Sequence, residues 1–591
     1  MIKPQTKKII RRKCSEPSNL NLEFPEYLAR IYAARGVVSI EELDNRLAAL
    51  EGNSRLRGLS EAIALLEAAL RERRLIIVVG DFDADGATST ALAVDVLRAM
   101  GARCEYLVPN RFEYGYGLTP EIVELAAEQQ PDLIVTVDNG ISSIEGVDRA
   151  NQLGMKVLIT DHHLPGQDTP NAAAIVNPNQ LGCEFVSKNS AGVGVIFYVM
   201  SSLRTSLIEK GWFAANNIDA PNMANYLDLV ALGTVADLVP FDKNNRILVE
   251  QGLRRMRARR CRPGIAALLE IAKKDLARVS SSDLGFVVGP RLNAAGRMDD
   301  MSLGIECLLA RDMLDARDMA VRLNALNIER RQVEDDMRRD AEAILKELPA
   351  HKQDVVGICL YQSHWHQGVI GILAARVKEA AHRPTIAFAP EVEGEAGHPP
   401  ADEDILKGSA RSIPGLHMRD TLDLIAKQRP DILQKFGGHA MAAGMTIKAK
   451  DYNAFAELFD NVVRKALDEE SLQATIHSDG ELSELQLDLA SVTTLESAGP
   501  WGQQFPEPAF DGVFDVLQKK ILKEKHLKLV IRQSDGEALF DAIQFNSPFL
   551  NENFSVPCRM VYRPNINEFR GRKTVQLLID YIELGDVVDF S

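Results

Sequence analysis

The stretch Leu75-Ile76-Ile77-Val78-Val79-Gly80-Asp81-Phe82-Asp83-Ala84-Asp85-Gly86 decides the fold. Its first five residues are apolar and mostly β-branched, as in a short strand buried on both faces of a parallel sheet. Gly80 ends the run, and apolar spacing at Leu92, Val96 and Leu97 predicts a helix over 88–100. The alternation then continues. It predicts a strand at 104–108, a helix at 121–129, a strand at 133–137, a helix at 144–153 and a strand at 156–160. Strands alternating with helices predict a doubly wound α/β domain, which we extend over 51–305.

Before this domain, residues 1–50 read as a helical lead-in broken at Gly36 and Gly52. After it, 305–348 holds neither glycine nor proline. Apolar residues recur there at Ala316, Met319, Ala320, Leu323, Leu326, Val333, Met337 and Ala341, so 306–350 is predicted as one long connecting helix or two in tandem. A second α/β unit follows at 351–465, with strands at 355–361 and 385–389 around a helix at 368–381. The last segment, 466–591, carries short alternating runs at 527–531 and 575–579. These predict antiparallel strands and a small β-barrel of the OB type.

At 591 residues the chain is too long for one core, and two to four domains are expected. A hydrophobic fraction of 46% and a charged fraction of 26% are ordinary for a globular protein. No apolar stretch approaches the roughly 20 residues of a membrane helix. The basic first residues lead into a polar segment, so we expect no secretion signal. The seven cysteines are scattered, without a CxxC pair, which fits reduced thiols in a cytoplasm. A net charge of −15 looks wrong for a partner of nucleic acid. Yet residues 254–262 read RRMRARRCR, either a solvated helix face or a phosphate-contacting edge, and bound cations are not counted in a formal charge. Charge leaves the question open.

Asp81, Asp83 and Asp85 fall within five residues at the C-terminal end of a predicted strand, where open α/β sheets bind ligands. One would serve a helix cap. Three repel one another unless a cation lies between them. The next strand ends in Val137-Asp138-Asn139-Gly140, and the one after it in Thr160-Asp161-His162-His163. Three strands thus deliver carboxylates or imidazoles to one edge, a ligand set suited to manganese or magnesium. Asp237, in ALGTVADLVP at 231–240, is a fourth source of acid but is weak evidence alone.

In this order, GDFDADG, VDNG, DHH and ADLVP resemble the four motifs of the DHH phosphoesterases. GPRLNAAGRM at 289–298 resembles the RecJ-type branch, and SHWHQGVIGILAARV, LKGSARSI and FGGHAMAAG resemble the DHH-associated domain. The resemblance covers nearly the whole chain. It implies a DHH parallel-sheet domain, a connecting helix, a substrate-binding second α/β domain and a C-terminal OB-like barrel. It further implies Asp83, Asp85, Asp138, His162 and Asp237 as ligands of two divalent ions, manganese or magnesium, with Asp138 bridging them. Asp81 and Asp161 would ligate or orient ligands, and His163 would face the scissile phosphate. Several family members carry histidine where this chain has Val79, so the first ion would be held differently or completed by Asp81.

The run 408–412 reads as a small-residue loop with hydroxyls and an arginine. The resemblance makes Ser409 and Arg411 holders of a terminal 5′ phosphate. Gly438, in Gly437-Gly438-His439, permits close approach of a strand, although tight turns explain such glycines equally well. The same resemblance makes His439, Arg111, Arg291, Asn293 and Arg297 candidate substrate contacts. His364, Trp365 and His366 fit core packing or substrate contact better than a second metal site. Lys519, Lys520, Lys523, Lys525 and Lys528 form a basic signal on the barrel.

The expected activity is hydrolysis of single-stranded DNA from its 5′ end to 5′ mononucleotides, in repair and recombination. Single-strand-binding protein and a repair helicase would be further partners, and no membrane is involved. Rival readings are a small-molecule or cyclic-dinucleotide phosphodiesterase of the same family, and a catalytically silent strand-binding scaffold. A haloacid-dehalogenase-like phosphatase is a third, suggested only by DFDADGAT. The residues alone support a two-metal phosphoesterase; polarity and product come from the resemblance.

Overall fold

Strand Leu75–Gly80 lies inside a five-stranded parallel sheet in the computed structural model. The sheet runs Arg103–Leu107, Leu75–Gly80, Leu133–Val137, Lys156–Thr160, Ala174–Val176. The chain starts on the second strand, crosses to the edge and returns to the other side. The order therefore reverses between Leu75–Gly80 and Leu133–Val137, which opens a crevice at their carboxyl ends. Asp81 and Asp138 follow these two strands directly. Val79 faces away from the crevice chemistry, packed among Ile77, Leu118, Ile122 and Ile159 with no exposed surface.

The structure describes residues 6–14, 20, 23–110, 114, 117–347, 355–392, 400–554 and 556–584. They fall into two units. One comprises Ser15–Ile328 with Ser497–Glu507; the other comprises Met1–Cys14, Glu329–Glu496 and Pro508–Ser591.

In the first unit, helix Ala84–Ala99 starts four residues before the predicted helix. Asp83 caps it by accepting from the N–H groups of Asp85 and Gly86, so the acidic run is the start of a helix and not a loop. The helix is buried from Ala84 to Leu97, which its small residues permit, and it packs against helices Gly192–Glu209 and Leu227–Ala236.

The second unit holds a mixed sheet ordered Lys435–Gly438, Ala442–Lys448, Ile405–Arg411, Thr385–Pro390, Ile358–Tyr361. Its core centres on Phe388, Phe455 and Phe459. Five strands then close a barrel in the order Phe510–Leu522, His526–Gln533, Leu539–Gln544, Arg572–Glu583, Cys558–Phe569, which is the expected OB architecture.

The connecting helix is single, Met313–Glu347, and pairs such as Arg330–Glu334 and Arg338–Glu342 brace it at helical spacing. The expected helical lead-in is corrected at its start. Lys8–Arg11 is a strand, parallel to Thr475–Ser478. Its partner lies far along the sequence, and Arg11 ties it to buried Asp511, which Arg559 and Ser478 also hold. Among the described residues, no helix is long and apolar enough to cross a membrane.

A candidate metal centre at the sheet edge

The side chains of Asp81, Asp83 and Asp85 are held by backbone N–H groups. Asp81 Oδ1 accepts from Phe82 N–H at 2.7 Å, and Asp83 Oδ1 accepts from Asp85 and Gly86 as the helix cap. Asp85 reaches across to the start of helix Gly192–Glu209, where Gly192 N–H and Val193 N–H donate to its Oδ2 and Oδ1 at 2.7 and 3.0 Å. That helix end favours a carboxylate. Asp138 sits in a tight turn at φ +62°, a conformation aspartate tolerates better than most residues. Asp237 ends helix Leu227–Ala236 and not a strand.

His162 draws these groups together. Its Nε2 lies 3.1 Å from Asp138 Oδ1 and 3.5 Å from Asp237 Oδ2. Ligand atoms of Asp85, His162 and Asp237 fall within 4.8 Å of one another, as do those of Asp81, Asp83 and Asp138 and those of Asp138, His162 and His163. Asp237 Oδ2 is shielded from solvent and makes no hydrogen bond.

Burial, then the negative neighbour Asp83, pushes the Asp85 carboxyl up to about 7. Burial and the neighbouring carboxylates Asp85 and Asp83 hold Asp138 and Asp237 well above the usual range. Same-sign groups this close ask for a cation, and acid oxygens with one imidazole suit a divalent ion of the manganese or magnesium type. The residues present fit such a group.

Asp161 differs in kind. Its Oδ1 accepts from His162 N–H, His163 N–H and the His163 Nδ1 side, and its Oδ2 accepts from Ile141 N–H. Burial raises its carboxyl, but the His163 hydrogen bond, the charges of His163 and His162 and the Ile141 N–H together leave it below the ordinary value. For His163, burial pulls downward, but Asp161 with the nearby charges of Asp81 and Asp83 leaves the imidazole above its ordinary value. Asp161 therefore orients His163 through its Nδ1.

The other predicted residues divide. Arg291 is buried, donating to Val287 O and Asn324 Oδ1, and Asn293 Oδ1 accepts from Ala84 N–H at 2.7 Å. Asn293 thus braces the start of helix Ala84–Ala99, while Arg291 is tied to its own helix and to Asn324. Arg297 lies on the same helix, Gly289–Met298. Arg111 lies outside the described residues.

In the second unit, 408–412 is not a loop: Ser409 and Arg411 belong to strand Ile405–Arg411. Arg411 donates to Ser409 Oγ at 3.0 Å. A Cβ on Gly371, at the start of helix Ile370–Ala381, would lie 2.8 Å from Arg411 Nη2 and 2.9 Å from Ser409 Oγ, so both side chains meet that helix N-terminus. Gly438 ends the hairpin strand Lys435–Gly438, and exposed His439 donates its N–H to Ala442 O. His364 Nε2 and Trp365 Nε1 both meet Asp340 Oδ2, a packing role. The arginine run is partly paired within the chain: Arg254 and Arg257 pair with Glu250 and Arg262 with Asp95, while Arg254, Arg259 and Arg260 are exposed.

Sequence reading missed Gly192, Asn177 and Asn179. Asn177 and Asn179 donate to the carbonyls of His163 and His162 and fix the histidine turn. Their clustering in Asn177-Pro178-Asn179 marked a turn, the one available signal.

Three family models match in order: the DHH family N-terminal domain at 75–234, the DHHA1 domain at 354–465 and the RecJ OB domain at 478–581. The chain is 50% identical to the single-stranded-DNA-specific exonuclease RecJ of Dickeya dadantii (strain 3937), covering 97% of this chain and 98% of the relative. It is 49% identical to the protein of that name from Escherichia coli (strain K12), over 97% and 98%. A crystal structure of RecJ from Thermus thermophilus in complex with Mn2+ aligns with a TM-score of 0.79 and 27% identity, covering 98% of this chain and 79% of that one. With these three segments in sequence and half of its residues identical to such a relative along nearly the full length, the chain belongs to the RecJ family of DHH proteins.

Proposed function

We infer that this chain is a metal-dependent exonuclease that hydrolyses single-stranded DNA, acting from the 5′ end and releasing 5′ mononucleotides. The observation that carries the reading is the gathering of Asp85, Asp138, His162 and Asp237 at one sheet edge. Its relatives are named as single-stranded-DNA-specific exonucleases, and a relative's structure is described with Mn2+.

Asp81, Asp83, Asp85, Asp138, His162 and Asp237 would hold two divalent ions, manganese or magnesium, with Asp138 shared. Such ions supply Lewis acidity and neutralise charge on a phosphodiester. The chain's own residues do the rest. The N-terminal amides of helix Gly192–Glu209 fix Asp85, Asp161 fixes His163 at Nδ1, and the other His163 ring nitrogen donates to a phosphoryl oxygen or to the leaving oxygen. No side-chain nucleophile is required.

End recognition is assigned to the second unit. Arg411, Ser409 and the first amides of helix Ile370–Ala381 offer a charged fork, a hydroxyl and a helix N-terminus to a terminal phosphate. Gly438, His439 and Arg297 are further candidate contacts to the strand, and the exposed lysines Lys519, Lys520, Lys523 and Lys525 of the barrel suit a sequence-tolerant grip.

A nuclease confined to single strands needs its substrate unwound and kept unpaired, which is the work of a repair helicase and single-strand-binding protein. The free cysteines fit a cytoplasmic setting for repair and recombination. Degradation of strands labelled at either terminus, with and without manganese, tests the reading. Loss of the 5′ label first, only with metal, is the expected result; metal-independent or 3′-first loss refutes it.

A further inference from the structure

The segment 284–298 borders the acidic cluster along its length. A Cβ on Gly285 would lie 3.2 Å from Val235 Cγ1, and one on Gly289 would lie 3.4 Å from Ala236 Cβ. This end therefore packs on the last turn of helix Leu227–Ala236, which delivers Asp237. Farther along, Asn293 Oδ1 accepts from Ala84 N–H, and a Cβ on Gly296 would strike Phe82 O, between Asp81 and Asp83. Leu284–Val288 is a π-helical turn, a rare form that is frequent at functional sites.

Two large apolar side chains stand open to solvent at this border. Phe286, inside the π-helical turn, is 75% exposed, and Leu238, the residue after Asp237, is 68% exposed. Core packing accounts for neither. Leu238 also sits at φ +60°, a left-handed conformation that leucine adopts at a cost. The two belong to one place. Leu238 N–H donates to Val235 O at 3.4 Å, and that carbonyl oxygen lies 4.0 Å from the Cβ position of Gly285, next to Phe286. One exposed apolar residue would carry no meaning. A neighbouring pair beside Asp237, one of them strained, marks a surface kept open for a ligand.

We propose that Phe286 and Leu238 form an apolar platform that receives the base of a nucleotide adjoining the scissile phosphate, with Phe286 stacking on it. The proposal rests on the reading of the chain as a DNA nuclease. Within that reading the surface selects its occupant. Phosphate and sugar offer no flat apolar face, whereas every nucleobase does, so such a platform is tolerant of sequence. A base in a duplex is already stacked between its neighbours and cannot turn onto a second surface. The platform therefore favours an unpaired strand at the point of cleavage, a discrimination that the acidic cluster by itself does not supply.

Degradation of thymidine strands by the full chain in manganese tests this, with a baseless tetrahydrofuran residue placed in turn at each nucleotide near the 5′ end. For the native protein, one such position is expected to lower kcat/KM by about tenfold. Phe286→Ala is expected to lose about tenfold on the all-thymidine strand and to match the native protein on that baseless strand. Phe286→Tyr, which keeps a ring, should restore the native pattern. Leu238→Gly, which removes the side chain and suits the backbone, should also lose activity on the thymidine strand alone. Equal losses on both strands would make Phe286 a structural residue and overturn the proposal. So would native rates for Phe286→Ala on the thymidine strand. Fluorescence anisotropy of the same strands in calcium separates this proposal from the nuclease reading. Base-dependent binding that Phe286→Ala abolishes, with no cleavage by the native protein in manganese, sinks the nuclease reading and leaves the platform standing. Affinity indifferent to the missing base at every position overturns the platform.

Discussion

Gly192→Ala is the substitution that asks most of the proposed centre, because it touches two ligands without removing either. Gly192 donates its N–H to Asp85 Oδ2, and a Cβ built on it would stand 2.6 Å from Asp138 Cβ and 2.7 Å from Asp138 Oδ1. Ordinary contact begins at 3.4 Å, so Asp138 must retreat by about 0.8 Å or the helix must move and loosen Asp85. Neither is cheap in a close-packed interior; overpacking of this kind costs ~1–3 kcal/mol, less than the ~5–15 kcal/mol stability of a typical domain. The protein should stay folded. A displacement near 1 Å in a catalytic constellation costs about 100-fold in rate, and disturbed metal ligation costs about 10–100-fold in affinity.

The assay is manganese titration of kcat/KM on a 5′-phosphorylated single strand, with thermal unfolding in parallel. The expected result is a loss of about 100-fold with a raised half-saturation for metal. Gly194→Ala is the control. Its Cβ would meet nothing nearer than Ser190 Cβ at 3.6 Å, so activity should hold. If Gly192→Ala matches the native enzyme in both rate and metal half-saturation, the assignment of Asp138 and Asp85 to one centre is wrong.

Asp138→Ala should abolish manganese-supported degradation, while the melting temperature in chelator stays level or rises, since a carboxyl that its acidic neighbours disfavour has gone. Retained activity would refute the bridging role. Arg411→Ala should reduce turnover of 5′-phosphate strands by tenfold or more, roughly the value of one charge-assisted pair, and barely touch 5′-hydroxyl strands. Equal losses on both ends count against the phosphate pocket. Asp511→Asn addresses stability. Burial raises the Asp511 carboxyl, but Arg11, Ser478 and Arg559 together hold it below its ordinary value. A depressed carboxyl stabilises above its unfolded value, near pH 4, and that contribution is lost as pH falls through the folded value. The native-minus-variant gap in unfolding free energy should therefore be about 3 kcal/mol at pH 7 and shrink below about pH 4. A gap independent of pH would show that the ion cluster contributes nothing.

What the sequence made legible was local. Runs such as Leu75–Gly80 and Leu133–Val137 announce buried parallel strands by composition alone, and acids or histidines placed directly after them inherit a common edge. What it hid was set by distant partners. Lys8–Arg11 is a strand because Thr475–Ser478 lies beside it, a pairing no local window contains. Ser409 and Arg411 looked like a loop because Gly408-Ser409-Ala410 has weak strand propensity, yet the strand is flanked on both sides by Thr385–Pro390 and Ala442–Lys448. The bonds of Asn293 to Ala84 and of Arg291 to Asn324 are likewise invisible to a local window. The arginine run read equally as a solvated face or a phosphate edge, and the pair of Arg262 with Asp95 lies outside any local window.

The way the acids are held explains how a chain of charge −15 handles a polyanion. Asp83 and Asp85 are fixed by amides at two helix N-termini, and Asp81 by Phe82 N–H. Amides orient a carboxylate and carry only partial charge, so these bonds by themselves do not cancel the repulsion among the acids. That is visible in the raised Asp85, Asp138 and Asp237 carboxyls. An ammonium or guanidinium in the same place would relieve the repulsion permanently and occupy the electrostatic role of a divalent ion. The arginines near this domain's other buried acids, Arg262 on Asp95 and on Asp228, do that in the packed interior. Attraction for phosphate would thus be created at one point by ions held in the cluster, and the sign of the whole surface would not decide it.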